Sequence, residues 1–175
     1  MTPPHNASDF NPRFLQHFDP IKPARVRYIK LGAGGGWEHE CLEKSIIRIG
    51  FSSARKDRFL LCKNHNWEKL SESFILEGKN KGTANRFTKE LRLFFEDDGQ
   101  TLWITFMNNC LYWGIIEQTQ VLTHPDGEGV WRRIRKGWCN KDLNGCILSK
   151  DKLSGAVTKL TAYQGTSCDV DVPEY

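Results

Sequence analysis

GTANRFTKELRLFFEDDGQTLWITFMNNCLYWGIIEQTQV, residues 82–121, is the stretch around which the chain is organised. Thr83 suits a helix N-cap. Phe87, Leu91, Phe94 and Phe95 follow at i, i+4, i+7 and i+8, one apolar face of a helix. Gly99 stands where a C-cap glycine belongs. Residues 102–106 (LWITF) carry the aromatic and β-branched side chains of a strand, Asn108-Asn109 is turn chemistry, and residues 111–116 (LYWGII) form a second strand. The reading is a helix followed by a β-hairpin, with the helix face buried on the sheet.

Around this stretch, 175 residues suffice for one domain with its own core. A net charge of +4 permits nucleic-acid binding without demanding it. No apolar run reaches the ~18–20 residues of a membrane span, and no signal-peptide pattern opens the chain, so a cytoplasmic protein with no membrane partner is expected. The six cysteines form no CxxC pair and read as free thiols in a reducing compartment. His39, Cys41, Cys62 and His65 are spaced HxC then CxxH, which fits no common zinc pattern. No metal or other cofactor is expected.

Upstream, residues 1–24 are rich in Pro, Asn and Asp and read as an arm, with a short helical turn at 11–16. A first strand begins at Arg25. The run Gly32-Ala33-Gly34-Gly35-Gly36 precedes a short helix from Trp37 to Glu43, and Ser45–Phe51 (SIIRIGF) reads as a second strand. Residues 52–69 read as a basic loop with some helix. The glycine run lacks the sixth-position glycine of a dinucleotide fingerprint and the Gly-Lys-Ser/Thr of a P-loop. Two readings stay open for it: a tight turn, or a bare backbone whose N–H groups from Gly34 to Gly36 face a phosphate or a base edge. Glu38 and Glu40, just beyond, read as solvated.

Downstream of the hairpin, Val130–Trp138 (VWRRIRKGW) carries four cations and two tryptophans. Cations meet phosphates and aromatics stack on bases; the plain alternative is a charged edge strand that blocks aggregation. Ser149 can cap a last helix with Leu153, Ala156, Val157 and Leu160 on one face, and residues 169–175 form an acidic tail. No GxSxG, HExxH or paired-carboxylate constellation marks a catalyst.

The order of motifs resembles a family. A strand (RVRYIKLG) runs into a loop and short helix (ECLEKS), a strand ending in IIRIGF, a basic loop, an amphipathic helix ending FFEDDGQ, then LWITF and YWGII and a Trp- and Arg-rich strand. Over residues 25–140 this resembles the PUA-like superfold, in particular its EVE and YTH branches. Phe51 stands where those branches carry Trp. The glycine loop lacks their usual polar pocket residues.

The resemblance implies an α+β domain over residues 25–168, a curved, mostly antiparallel β-barrel with helices outside. It implies a reader rather than a catalyst, one that flips a methylated or hydroxymethylated base of DNA into an aromatic pocket within a prokaryotic modification-dependent restriction or defence system. RNA and a free nucleotide are the alternative ligands, and a fused or associated nuclease or NTPase is the expected effector. The pocket is expected from Phe51, Trp113 and Trp131, then Trp103, with Ser52, Lys30, Gly34, Gly35 and Trp37. Trp103 and Trp113 equally suit a core. The expected phosphate contacts are Arg132, Arg133, Arg135 and Lys136, with Arg55, Lys56 and Arg58.

Overall fold

A computed structural model describes residues 22–171. The expected arm, up to residue 21, and the tail past residue 171 lie outside the described residues. Strand β1 (Arg25–Ile29) leads through the glycine run to helix α1 (Glu38–Glu43) and strand β2 (Ile46–Ile49). Helices α2 (Lys56–Lys63), α3 (Trp67–Leu76) and α4 (Lys81–Phe95) follow. Next come strands β3 (Thr101–Met107), β4 (Cys110–Ile115), β5 (Leu122–Thr123) and β6 (Val130–Arg133). The C-terminal part holds two 3₁₀ turns around the one-turn helix α5 (Gly155–Thr158), then strand β7 (Ser167–Asp169).

The helix-then-hairpin unit is present, with altered boundaries. Asn80, not Thr83, caps α4: its side-chain oxygen accepts the Thr83 N–H at 2.8 Å. Leu91 and Phe94 are fully buried, and Phe87 and Phe95 pack at the margin of the same core. The helix stops at Phe95 and Glu96 is its C-cap, so Gly99 belongs to the next turn. There the Asp97 carboxylate accepts the Gly99 N–H at 2.9 Å and the Trp103 indole N–H at 2.6 Å, tying the end of α4 to β3. Asn108 and Asn109 have φ of 47° and 60°, as a two-residue hairpin turn with native twist requires.

Two sheets form, with strand orders β4-β3-β1-β7 and β2-β6-β5. Pairing is antiparallel except between β1 and β3. The sheets meet where Ile116 bridges Ile134 and the Arg135 N–H reaches the Ile115 carbonyl at 2.8 Å. The arrangement is α+β and mostly antiparallel, as expected; the ladders end at β7 on one sheet and at β2 and β5 on the other, so the described strands form two sheets and no closed barrel. Residues 52–69, expected as mainly loop, contribute α2 and the start of α3. The last helix also departs from expectation. It is broken into short turns, and Ser149 makes no side-chain cap, although Leu153, Val157 and Leu160 still pack on the four-stranded sheet. Asp169, expected in the tail, lies in β7 opposite Arg27.

Each face of the four-stranded sheet carries its own apolar cluster. Trp103 and Phe94 belong to the larger one, with β2, β6 and the helices. Tyr28, Ile104 and Leu111 centre the smaller one, covered by the C-terminal turns.

Candidate nucleic-acid interface

The glycine run closes on itself. Gly32, Gly34 and Gly35 have φ of 83°, 60° and 80°, in the left-handed region that glycine enters without a steric penalty. The N–H groups of Gly35, Gly36 and Trp37 donate to the carbonyls of Gly32, Ala33 and Leu31 at 3.2, 3.1 and 2.9 Å. The expectation that the Gly35 and Gly36 donors face a ligand is therefore corrected: the loop uses them itself. A Cβ on Gly32 would lie 2.9 Å from Trp37 Cγ, and one on Gly35 would lie 2.5 Å from Glu38 Oε1. Gly34 has nothing within 4 Å of its Cβ position and forms the open side of the loop.

Glu38 starts α1 and is half-buried rather than solvated. Its carboxylate lies against the bare Cα of Gly35, and burial pushes its carboxyl above the usual range. Among the described residues it has neither a hydrogen bond nor an ion pair. The signal in the sequence is position alone: Glu38 opens the helix three residues after a glycine that cannot carry a side chain.

Trp37 is held by Arg48, whose guanidinium carbon lies 4.0 Å from the ring centroid. Arg48 is 1% exposed. It donates to Glu40 and Asp126 at 2.8 Å each and to the Glu128 carbonyl at 2.5 Å. The His124 ring reaches Glu40 at 3.2 Å and Asp126 at 2.8 Å. This network fastens the loop between β5 and β6 onto α1 and β2.

Burial pushes the Asp126 carboxyl up. The Glu128 N–H, Arg48 and His124 outweigh it and hold the carboxyl at about 2. A depressed carboxyl stabilises the fold above its unfolded value, ~3.9, and loses that contribution as pH falls toward 2. Asp126→Asn is thus expected to destabilise at neutral pH and to flatten the loss of stability between about pH 4 and pH 2, followed by urea midpoints across that range. Equal acid sensitivity in parent and variant would count against the network.

Strand register brings part of the expected site together. Arg48 faces Trp131 and Ile46 faces Arg133 across the β2–β6 ladder, so alternation places Arg48, Trp131 and Arg133 on one sheet face. Trp37 stacks on Arg48 from that side. Trp131 is half-buried and donates its indole N–H to the Thr123 carbonyl at 3.3 Å. Arg133 and Arg135 are exposed and extend outward from β6, and Lys56 and Lys136 are exposed as well.

Other expected members fall elsewhere. Trp103 is 0% exposed and belongs to the core. Trp113 packs in the smaller cluster and donates to the Lys141 carbonyl at 2.8 Å, away from Phe51 and Trp131 in the larger one. Phe51 stacks on Phe87 with centroids 4.4 Å apart, at the core margin. Phe51 and Ser52 have φ of 61° and 51°, so the chain reverses sharply after β2 and leaves Ser52 exposed. Lys30 donates to the Tyr163 carbonyl at 2.8 Å and anchors the C-terminal turns.

Two expected phosphate contacts are internal. Arg132 donates to the carbonyls of Phe94, Asp97 and Glu117 at 3.1, 2.8 and 3.2 Å. Arg58 is buried over the Phe74 ring and bonded to Ser73 and Glu77. Arg55, although exposed, is bridged to Asp57 and Glu77 at 3.0 and 2.6 Å.

Burial pushes the Cys41 and Cys62 thiols up to about 12, which makes both unreactive core residues. No group of three His, Cys, Asp or Glu is placed to hold a metal among the described residues. No described helix is long and apolar enough to cross a membrane. An open groove of about 600 Å³ between α3 and α4, lined by Trp67, Glu68, Glu72, Lys81, Lys89 and Arg92 among others, had no counterpart in the sequence reading. Comparison with family models, curated proteins and solved structures returns no match to this chain.

Proposed function

We propose that this domain reads a modified base in DNA, in the manner of the PUA-like EVE and YTH domains that its motif order resembles. The observation that carries this reading is one sheet face. On it Trp37 and Trp131 stand half-buried and Arg133 lies exposed, with Arg135 just beyond β6. Glu38 directly follows Trp37 in the chain, and the open Gly34 lies three residues before it. Arginines position a phosphate backbone without reading sequence. Tryptophan rings stack on an extruded base, returning ~1–3 kcal/mol against the few kcal/mol of extrusion. The reading moves the pocket from Phe51, Trp103 and Trp113 to Trp37 and Trp131. It assigns cleavage or NTP hydrolysis to a fused or associated effector within a restriction or defence system.

The test is binding to matched duplexes, single strands and RNA bearing 5-methylcytosine, 5-hydroxymethylcytosine, N6-methyladenine or no mark. Selective binding of one marked DNA is expected, with Trp131→Ala losing the selectivity. Arg133→Gln with Arg135→Gln should weaken marked and unmarked strands by similar factors and flatten the salt slope by ~0.9 per lost contact. Absence of binding at low salt would refute the reading, and preference for RNA would redirect it.

A further inference from the structure

We infer that the groove between α3 and α4 is a dimer interface whose occupant is a second copy of this chain, related to the first by a two-fold axis parallel to the groove.

Helix periodicity separates the charges. α3 contributes Glu68 and Glu72 to one wall, and α4 contributes Lys81 and Lys89 to the other. Glu68 and Glu72 are one turn apart and Lys81 and Lys89 two turns apart, so each wall keeps one sign along one helix face. Arg92, at the end of the basic wall, is bridged to Glu96 at 2.9 Å. Glu68, Glu72, Lys81 and Lys89 have no ion pair among the described residues.

The walls are nevertheless in register. Trp67 at the start of α3 meets the Phe95 ring at the end of α4, so the helices run antiparallel. Between them the Ser71 hydroxyl donates to Asn85 at 3.0 Å. With a rise of ~1.5 Å per residue, this bond sets Glu68 level with Lys89, and Glu72 about one turn from both lysines. Acid and base thus stand at matching heights on opposite sides of an open groove of about 600 Å³.

Symmetry then chooses the partner and its orientation. Two-fold dimers are the commonest oligomers, and in them one patch meets itself. A two-fold along the groove carries α3 of one copy over α4 of the other at the same height, so acid wall meets basic wall twice. A two-fold across the groove lays α3 on α3 and sets carboxylates against carboxylates, which repulsion rejects. The chain is therefore its own complement in one of the two orientations. Trp67, half-buried, and Ile75, 44% exposed, supply apolar surface at opposite ends of the groove for the contact to cover. None of these residues belongs to the sheet face that carries Trp131 and Arg133.

The test is sedimentation equilibrium of the 175-residue chain and of two charge-reversed variants at low salt. Glu68→Lys with Glu72→Lys makes both walls basic, and Lys81→Glu with Lys89→Glu makes both acidic. The parent is expected to dimerise as concentration rises and to dissociate with added salt, because exposed charges are screened beyond about 10 Å at 0.1 M. Each variant alone should dimerise at least about tenfold more weakly, since like charges now face each other. An equimolar mixture of the two should dimerise about as well as the parent, because each basic wall then meets an acidic one. Damage to either fold cannot produce that rescue, and circular dichroism and melting temperature check each variant. Should a reversed variant unfold, Glu68→Gln with Glu72→Gln removes the charge of one wall and should weaken pairing as well. A parent that stays monomeric up to ~1 mM would overturn the inference. So would a reversed or neutralised variant that pairs as tightly as the parent, or a mixture of folded reversed variants that stays monomeric.

Discussion

Trp103→Ala is expected to cost about 3–5 kcal/mol, the range for emptying a large aromatic site in a core. Three observations put it at the upper end. The side chain is fully buried, its ring meets Phe94 edge-on at 6.2 Å, and its indole N–H is donated to Asp97. Removing the ring leaves a cavity and also strips a buried carboxylate of its side-chain donor. Asp97 is further tied to the end of α4, because its own carbonyl accepts from Arg132. Trp103→Phe separates the two effects, since it keeps most of the volume and loses the donor; about 1–3 kcal/mol is expected for it. Urea unfolding with tryptophan fluorescence and circular dichroism measures both. If Trp103→Ala remained as stable as the parent and lost only ligand binding, Trp103 would be a pocket wall after all.

The sequence was most readable where apolar side chains face the core. The Leu91 and Phe94 face of α4, the β3–β4 hairpin and its Asn-Asn turn all follow from residue type and spacing, because burial there is apolar and local. It was least readable at arginine. Arg27, Arg48, Arg58 and Arg132 are all buried, whereas arginine in a sequence reads as surface. Arg58 occupies the inner side of α2, so that helix shows no apolar stripe and passes for a basic loop. Arg132 alternates in step with Val130 and Ile134, both buried, and that parity was the available sign that it points inward. Its partners, three backbone carbonyls from distant parts of the chain, leave no trace in composition. A cation count therefore overstated the phosphate-binding surface and understated the polar core.

The site was legible to a similar, partial degree. Trp131 and Arg133 sit on one strand, and their common face with Trp37 follows once β2 is paired with β6. Nothing local shows that Arg48 lies beneath Trp37, or that Asp126 and His124 reach it from a loop nearly 80 residues away, because such pairing is set by the strand register. The glycine run shows the limit of composition most clearly. Three positive φ values and two side chains pressed against Gly32 and Gly35 account for most of it. On this basis Gly35→Val should lower the melting temperature rather than leave it unchanged.

The second large effect is expected at Arg27. Its guanidinium is 1% exposed and donates to Glu90 at 2.7 Å, Ser167 at 2.8 Å and Asp169 at 2.6 Å, joining β1, α4 and β7. The Ser167 hydroxyl in turn donates to Glu90. Burial pushes the Glu90 carboxyl up, against the pull of Arg27. Arg27→Met removes that pull and leaves Glu90 buried without its cation, a change that typically costs about 3–5 kcal/mol.

The loss should depend on pH with a definite sign. A carboxyl whose folded value is raised above its unfolded value is best accommodated when protonated. Its contribution is present below the unfolded value and is lost as pH rises through the folded one. Measured against the parent at each pH, the deficit of Arg27→Met should therefore shrink from neutral to mildly acidic conditions. Arg27→Met with Glu90→Leu replaces the pair by apolar side chains and should recover most of the stability, since a buried ion pair seldom outperforms a packed hydrophobic one. A deficit independent of pH and unrelieved by Glu90→Leu would mean that Arg27 acts through Asp169 and the pairing of β7 rather than by neutralising Glu90.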